Sequence, residues 1–371
     1  MAFGEIYKGK KVLLTGHTGF KGSWMAEWLL MLGAEVHGYA LDPLPEAVFY
    51  EDLDLPERLH ADHRADVRDL QKLTEVVNET QPDIIFHLAA QPLVRLSYDI
   101  PVETFDVNVM GSVNVLEAVR QSGIACSVVM ITTDKCYENR EWLHSYRESD
   151  AMGGHDPYSA SKGAAEIAIS SYRRSYFQGN TSEVKVASAR AGNVIGGGDW
   201  AKDRIIPDCM RALNESKPIP VRNKIATRPW QHVLEPISGY LWLGACMLEP
   251  QLTPFSEKEA VESGFNFGPQ LTSNKTVSDL VSEVILHYPG EWLDESDPNA
   301  LHEASKLNLA IDKAFHILEW KPVWGFEKTI EKTVNWYRQS GSGDTLSYTR
   351  QQITSYMDDA LSADITWSKK D

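Results

Sequence analysis

A doubly wound α/β fold, with helices on both faces of a parallel sheet and a smaller mixed α/β lobe attached, is what the sequence predicts. Three observations carry that prediction. Short apolar runs alternate with stretches of helical period through the first half of the chain. A glycine-rich turn separates the first run from the first helix, and a second glycine-rich stretch, Gly192 to Gly198, ends the alternation.

Taken in order, Lys11 to Thr15 (KVLLT) reads as a strand, and Ser23 to Leu32 as a helix stopped by Gly33. Glu35 to Leu41 is a second strand, a weak one precedes Asp66, and Leu70 to Thr80 is helical. Ile84 to Leu88, Ser127 to Thr132 and Val184 to Arg190 complete the strands, with a helix predicted over Pro101 to Arg120. Such alternation demands right-handed crossovers, so ligands are expected at the carboxyl ends of the strands. Beyond Asp199 the periodicity is poor, although Val277 to Tyr288 and Phe326 to Tyr337 still read as helices. Residues from about Thr345 read as a polar tail with modest helical content, to which no role is assigned.

The 371 residues are 43% hydrophobic and 24% charged, enough for a large core and two lobes. Lys plus Arg number 36 against 52 Asp plus Glu, and the net charge of -16 repels nucleic acid and anionic membrane alike, so neither is an expected partner. Cys126, Cys136, Cys209 and Cys246 show no CxxC spacing, which argues against a disulfide framework or a zinc site; no metal is expected. Met1 to Lys10 lacks a signal-peptide h-region, and no apolar run approaches the roughly 20 residues of a membrane span. The expected setting is the cytoplasm.

Gly16, Gly19 and Gly22 form G-x-x-G-x-x-G between strand and helix, with Phe20 and Lys21 inside the turn. Small residues there let backbone N–H groups approach a pyrophosphate at the positive end of a helix, which points to a dinucleotide. The order Lys21-Gly22-Ser23 excludes a Walker A loop, which needs Gly-Lys-Ser. Asp42, 20 residues past Gly22, is placed to bond adenosine ribose hydroxyls, favouring NAD over NADP; it equally fits a turn before Pro43. Asp66 and Val67 are candidates for the adenine, and Leu88, Ala89 and Ala90 for the cofactor's path along the fourth strand; plain strand-end packing accounts for them as well.

Tyr158 and Lys162 are a Y-x-x-x-K pair, which a helix places on one face. Tyr7 and Lys11 have the same spacing by chance, so setting decides. Tyr158 follows Pro157 at a helix start, and the preceding strand ends in Thr132-Thr133-Asp134-Lys135. A nearby ammonium and a cationic nicotinamide are expected to lower the phenol from about 10 and make it a usable base, with Thr133 on the same substrate hydroxyl.

These motifs resemble the extended short-chain dehydrogenase/reductase family over essentially the whole chain, and within it the nucleotide-sugar 4,6-dehydratases of the CDP-glucose type. The stretches that carry the likeness are GHTGFKGSW (Gly16 to Trp24), AAQPLVRLSY (Ala89 to Tyr98), TTDKCYENREW (Thr132 to Trp142), MGGHDPYSASKG (Met152 to Gly163), ARAGNVIGGGDWA (Ala189 to Ala201) and RPWQHVLEP (Arg228 to Pro236). The resemblance implies a Rossmann fold, NAD as cofactor, CDP-glucose as substrate, and a homodimer or homotetramer in which helices 101–120 and 157–175 pair. It implies an NAD-binding domain of residues 1–192 plus about 232–268, and a nucleotide-sugar lobe of about 193–231 plus 269–371.

The implied chemistry is oxidation at C4, loss of water across C5 and C6, and return of the hydride to C6, for deoxysugar and O-antigen-type polysaccharide synthesis. Tyr158 would take the O4 proton, Asp134 would be the acid and Lys135 the C5 base. Most relatives carry Asp-Glu where this chain has Asp-Lys, and a lysine needs a depressed pKa to act as a base; pairing with Asp134 or with a ligand phosphate is the other reading. Arg204 and Arg228 are candidates for the diphosphate, Asn193 for the sugar or phosphate, and Gln91 and Arg95 for the sugar pocket. His17, His87 and His232 read as packing or supporting groups. An epimerase or reductase would use Tyr158 and Lys162 without needing Asp134 and Lys135, and a silent dinucleotide sensor would need none of them.

Overall fold

The computed structural model describes residues 2–45, 48–178, 182–253, 258–296, 306–340 and 343–369. Its centre is a sheet of seven strands, β1 (Lys11–Thr15), β2 (Glu35–Ala40), β3 (Ala61–Arg64), β4 (Ile84–His87), β5 (Ser127–Thr133), β6 (Lys185–Ala191) and β7 (Gly264–Asn266). They lie in the order β7-β6-β5-β4-β1-β2-β3, and every pairing is parallel. The chain runs outward in one direction from β1 and in the other from β4, so the crevice between these two strands is the switch point where doubly wound sheets take their ligands.

Both faces of the sheet are covered, which is why the central strands β1, β4 and β5 are largely apolar rather than alternating with polar residues. The pleat sends Val12, Leu14, Ile84, Phe86, Val129 and Ile131 to one face. Leu13, Ile85, Val128 and Met130 go to the other. The first face packs against α1 (Phe20–Met31) and α5 (Leu234–Leu248); the second packs against α2 (Leu70–Thr80), α3 (Gly111–Ser122) and α4 (Pro157–Tyr172). The helix predicted over 101–120 is broken: an α turn at Pro101–Phe105 passes through a π segment, Asp106–Met110, before α3. A π turn inserts an extra residue and swings Asn108 inward, a distortion common at functional sites.

The second lobe is built from short pairings: Val194–Ile195 with Gln231–His232, Ile219–Val221 with Trp292–Asp294, and Thr227–Pro229 with Asn274–Thr276. Helices Ile205–Asn214, Val277–His287 and Phe326–Ser340 support them. The expected polar tail is instead α6 (Thr345–Ser362), an 18-residue helix capped by Asp344. Tyr356 and Trp367 are fully buried, Trp367 stacking on Phe3 at 5.0 Å, and Arg350 reaches Glu27 of α1 at 2.7 Å. The chain's last segment is part of the core around α1. The four cysteines are buried and unpaired, and among the described residues no helix is long and apolar enough to cross a membrane.

Candidate active site

The carboxyl ends of β1, β4, β5 and β6 gather the motif residues. At β1, Gly16 has φ +74, and a Cβ on it would stand 2.7 Å from the Ala89 nitrogen; a Cβ on Gly22 would stand 2.1 Å from the Gly16 oxygen. Both glycines are demanded by backbone packing, which presses the turn against the end of β4. Gly19 is the N-cap of α1 and offers no side-chain cap, so the first N–H groups after Phe20 face outward for an anion. Ala89 N donates to Thr15 Oγ1 at 3.2 Å and Leu88 N to the Thr15 oxygen, which fixes Leu88 to Ala90 beside that turn.

At the adenosine end, Asp42 lies just past β2, exposed, 4.0 Å from Arg64 Nε. Asp66 is held by Arg68, which donates Nη2–H to it at 2.6 Å; Val67 is buried, and its carbonyl accepts from Asn114 at 2.9 Å. His17 sits beneath the turn, 2.9 Å from Asp62, and His87 bonds Thr15 and Ser112. Burial, with the Lys162 ammonium nearby, pushes His87 down to about 3, so it is neutral and structural.

The catalytic candidates come from two elements. Thr133 ends β5, with Asp134 and Lys135 in the turn that follows; Tyr158 and Lys162 lie on α4, whose Asp156 cap accepts from Ser159 N at 2.9 Å. Thr133 hydrogen-bonds the Tyr158 hydroxyl and donates to Asp134 Oδ1 at 2.9 Å. Asp134 is buried against Gly192, where a Cβ would stand 1.9 Å from its Oδ2, and Oδ2 has no partner among the described residues. Burial therefore raises the Asp134 pKa in spite of Lys135 and Arg228. This is a carboxyl held toward its protonated form beside a Thr–Tyr pair.

The expected lowering of Tyr158 counted on a cationic nicotinamide as well as an ammonium, and the protein alone does not produce it. Burial pushes Tyr158 up to about 12, against the opposing pull of Thr133 and Arg204. Lys162 is pushed down to about 8 by burial, with Glu166 working the other way. Lys21 also falls to about 8, through burial and then the charges of Arg204 and Lys162. A concentrated positive charge thus lines the cleft of an acidic protein.

Among the substrate candidates, Arg204 pairs with Asp199 at 2.7 Å and is close enough to act on Tyr158 and Lys21. Arg228 acts on Asp134 from the second lobe. Asn193 follows β6 in the left-handed region (φ 50), where its backbone oxygen accepts from Gln231 N at 3.3 Å. Arg95 pairs with Asp203 at 3.3 Å across to the second lobe. The Gln91 amide is engaged inside the protein: its oxygen accepts from Leu93 N at 2.6 Å, and its nitrogen donates to the Leu93 oxygen and to Thr104.

Four contributors escaped the sequence reading. Asn108 donates to Ser161 of α4 at 2.9 Å and to the Gln91 oxygen, and only its inward swing in the π segment reveals it. Asp199 orients Arg204, and the GGGDW stretch contained it. Glu166 and Arg190 form a buried pair at 2.8 Å, signalled only by Glu166 standing four residues after Lys162.

Comparison with known proteins agrees with this geometry. The CDP-glucose 4,6-dehydratase of Salmonella typhimurium is 46% identical over 359 residues, covering 95% of this chain and 98% of that protein. An epimerase structure from Methanothermobacter thermautotrophicus superposes with a TM-score of 0.75 at 24% identity, covering 94% of this chain and 96% of that one. DesIV, a dTDP-glucose 4,6-dehydratase of Streptomyces venezuelae solved with NAD bound, has a TM-score of 0.74 at 22% identity, covering 88% and 97%. The family model for GDP-mannose 4,6 dehydratase matches residues 13–333, and the chain belongs to that family.

Proposed function

We propose that the chain catalyses the NAD-dependent dehydration of CDP-glucose to its 4-keto-6-deoxy derivative. The observation that carries this reading is Asp134, a buried carboxyl beside Thr133 and Tyr158 whose Oδ2 has no partner among the described residues. Epimerisation or simple reduction at C4 needs no such acid, whereas expelling a hydroxyl as water does. The likeness to the Salmonella enzyme supports CDP as the nucleotide.

The uncapped N-terminus of α1, the turn pressed against Ala89 and the exposed Asp42 suit a dinucleotide. Gly16, Gly19, Phe20, Lys21 and Gly22 would hold its pyrophosphate, with Asp42, Asp66 and Val67 at the adenosine and Leu88, Ala89 and Ala90 along its path. NAD held there would supply the hydride chemistry that links oxidation at C4 to reduction at C6. Tyr158, oriented by Thr133, receives the proton of the O4 hydroxyl. Lys162 keeps a positive charge near that oxygen. Lys135 removes the proton from C5, and Asp134 gives its proton to the departing O6 hydroxyl. Arg204 and Arg228 are assigned to the diphosphate, and Asn193, Arg95 and Gln91 to the wall of the sugar pocket, Gln91 through the loop it braces.

Residues 1–192 with about 232–268 would hold the dinucleotide, and about 193–231 with 269–371 the nucleotide sugar. A second copy of the chain is assigned to the face where Val102, Phe105, Met110 and Ile167 stand exposed. Sedimentation should give a dimer or tetramer.

The deciding assay incubates purified protein with CDP-glucose and follows the alkali-induced ultraviolet absorbance of a 4-keto-6-deoxy product. Absorbance with CDP-glucose supports the proposal. Absorbance only with another nucleotide-diphosphate glucose keeps the chemistry and removes CDP, and an isomerised sugar without absorbance makes the chain an epimerase.

A further inference from the structure

We propose that the buried Glu166–Arg190 pair is a positioning device that fixes the turn carrying Thr133, Asp134 and Lys135 against the helix carrying Tyr158 and Lys162. The proposal rests on the dehydratase reading of those five residues. Their task requires groups from β5 and α4 to stay in register within a fraction of an ångström, since a misplacement of about 1 Å can cost about a hundredfold in rate.

Glu166 lies on α4, one turn beyond Lys162 and two beyond Tyr158, so the three share a face. Its carboxylate is saturated. Thr132 donates to Oε1 at 2.5 Å and Ser188 to Oε2 at 2.8 Å, while Arg190 Nε and Nη2 bind the two oxygens at 3.0 and 2.8 Å. The remaining arm of Arg190 donates Nη1–H to the Tyr137 oxygen at 2.7 Å, and the Tyr137 hydroxyl donates to Asn266 of β7 at 2.7 Å.

Thr132 immediately precedes Thr133, and Tyr137 follows Lys135 by two residues. Both ends of the reactive turn are therefore tied to one ion pair rooted in the catalytic helix and in β6. The turn also lies directly on that helix: a Cβ on Gly163 would stand 2.6 Å from the Gly153 oxygen and 3.1 Å from the Cys136 oxygen.

Stability alone does not account for such a pair. Both residues are about 5% exposed or less, and burying two charges is commonly no more stabilising than packing apolar residues of the same volume. A saturated, fork-shaped pair fixes geometry instead, because each of its bonds has a direction. The Glu166 charge also opposes the depression that burial imposes on the Lys162 ammonium.

The test removes one tie at a time and leaves the ion pair in place. Thr132→Val deletes one hydroxyl, Tyr137→Phe the other, and Thr132→Ser keeps the first. The expected result for Thr132→Val and Tyr137→Phe is a kcat for CDP-glucose dehydration lower by about ten- to a hundredfold with KM within about twofold. Thr132→Ser should recover most of the parent rate. Backbone amides of residues 134–137 should exchange hydrogen for deuterium faster in the two deficient variants, with the strands unaffected. Unchanged exchange over 134–137 in folded Thr132→Val and Tyr137→Phe overturns the proposal, as does an unchanged kcat in an active enzyme. A parent protein that turns over neither CDP-glucose nor another nucleotide-diphosphate glucose removes the dehydratase reading, and the exchange measurement then still decides whether the pair holds the turn.

Discussion

Asp134 and Tyr158 are both pushed toward their protonated forms by burial, and their roles separate them. Tyr158 is needed before any hydride moves; Asp134 is needed only when water leaves. Tyr158→Phe should abolish product and also the near-ultraviolet absorbance of reduced dinucleotide on mixing with CDP-glucose. Asp134→Asn should lower product formation by about 10²- to 10⁴-fold while reduced dinucleotide accumulates, because oxidation proceeds and elimination stalls. A variant at Asp134 that neither accumulates the reduced form nor loses turnover would assign the acid elsewhere. That these residues would gather at one edge of the sheet was legible in the sequence because their motifs sit at the strand end and the helix start. The direction of the phenol's shift was not. It was expected to fall, and in the protein alone desolvation outweighs Thr133 and Arg204, a balance that depends on how much chain closes over the ring.

Among the elements, the alternating strands and helices of the first half were legible because the central strands β1, β4 and β5 are buried on both faces and therefore largely apolar, whereas the edge strand β3, ADHR, is only partly buried and left a weak signal. Helix α5 was not legible, and burial is again the reason: nearly all of its residues are buried, so no polar stripe marks its period. Helix α6 hid in the opposite way, with Ile353 and Tyr356 buried among many polar residues. The two helices meet at Glu235, whose carboxylate accepts from the backbone N–H groups of Val323 and Trp324 and from the Tyr356 hydroxyl at 2.7 Å. Complete burial pushes Glu235 up from 4.5 to about 7. A raised carboxyl binds its proton more tightly folded than unfolded, so its contribution is fully present below pH 4.5 and is lost as pH rises through 7. The loss amounts to about 3 kcal/mol. Relative to Glu235→Gln, which has no proton to lose, the parent's unfolding free energy in urea should fall by about that amount between these pH values. Parallel pH dependences of parent and variant would show that the carboxyl does not titrate in this window.

For the whole molecule, the length and the change of pattern at Gly192 suggested two lobes, and the packing joins them. One hydrophobic core runs from Phe3 and Trp28 through the β1 face of the sheet to Trp230, Trp320, Trp336 and Trp367. Trp24 donates to the Gly197 oxygen at 2.9 Å, Tyr7 to the Leu241 oxygen at 2.6 Å, and Arg350 to Glu27 at 2.7 Å. None of these long-range pairings leaves a local mark in sequence, which is why the second lobe's order was unreadable and the edge strand β7, Gly264–Asn266, was missed, while the alternation of strands and helices before Gly192 was not. Such contacts make independent unfolding of the first 192 residues costly, because it would strip α1 of the aromatic residues that cover it. Calorimetry of the dinucleotide-free protein should show one transition, its measured enthalpy matching the van't Hoff value for the folding unit. Saturating NAD at about a hundred times its dissociation constant should move the whole transition upward, as about 2.7 kcal/mol of added stability requires. Two resolved transitions, with only one responding to NAD, would show that the glycine-rich stretch at Gly192 divides the chain into separate folding units after all.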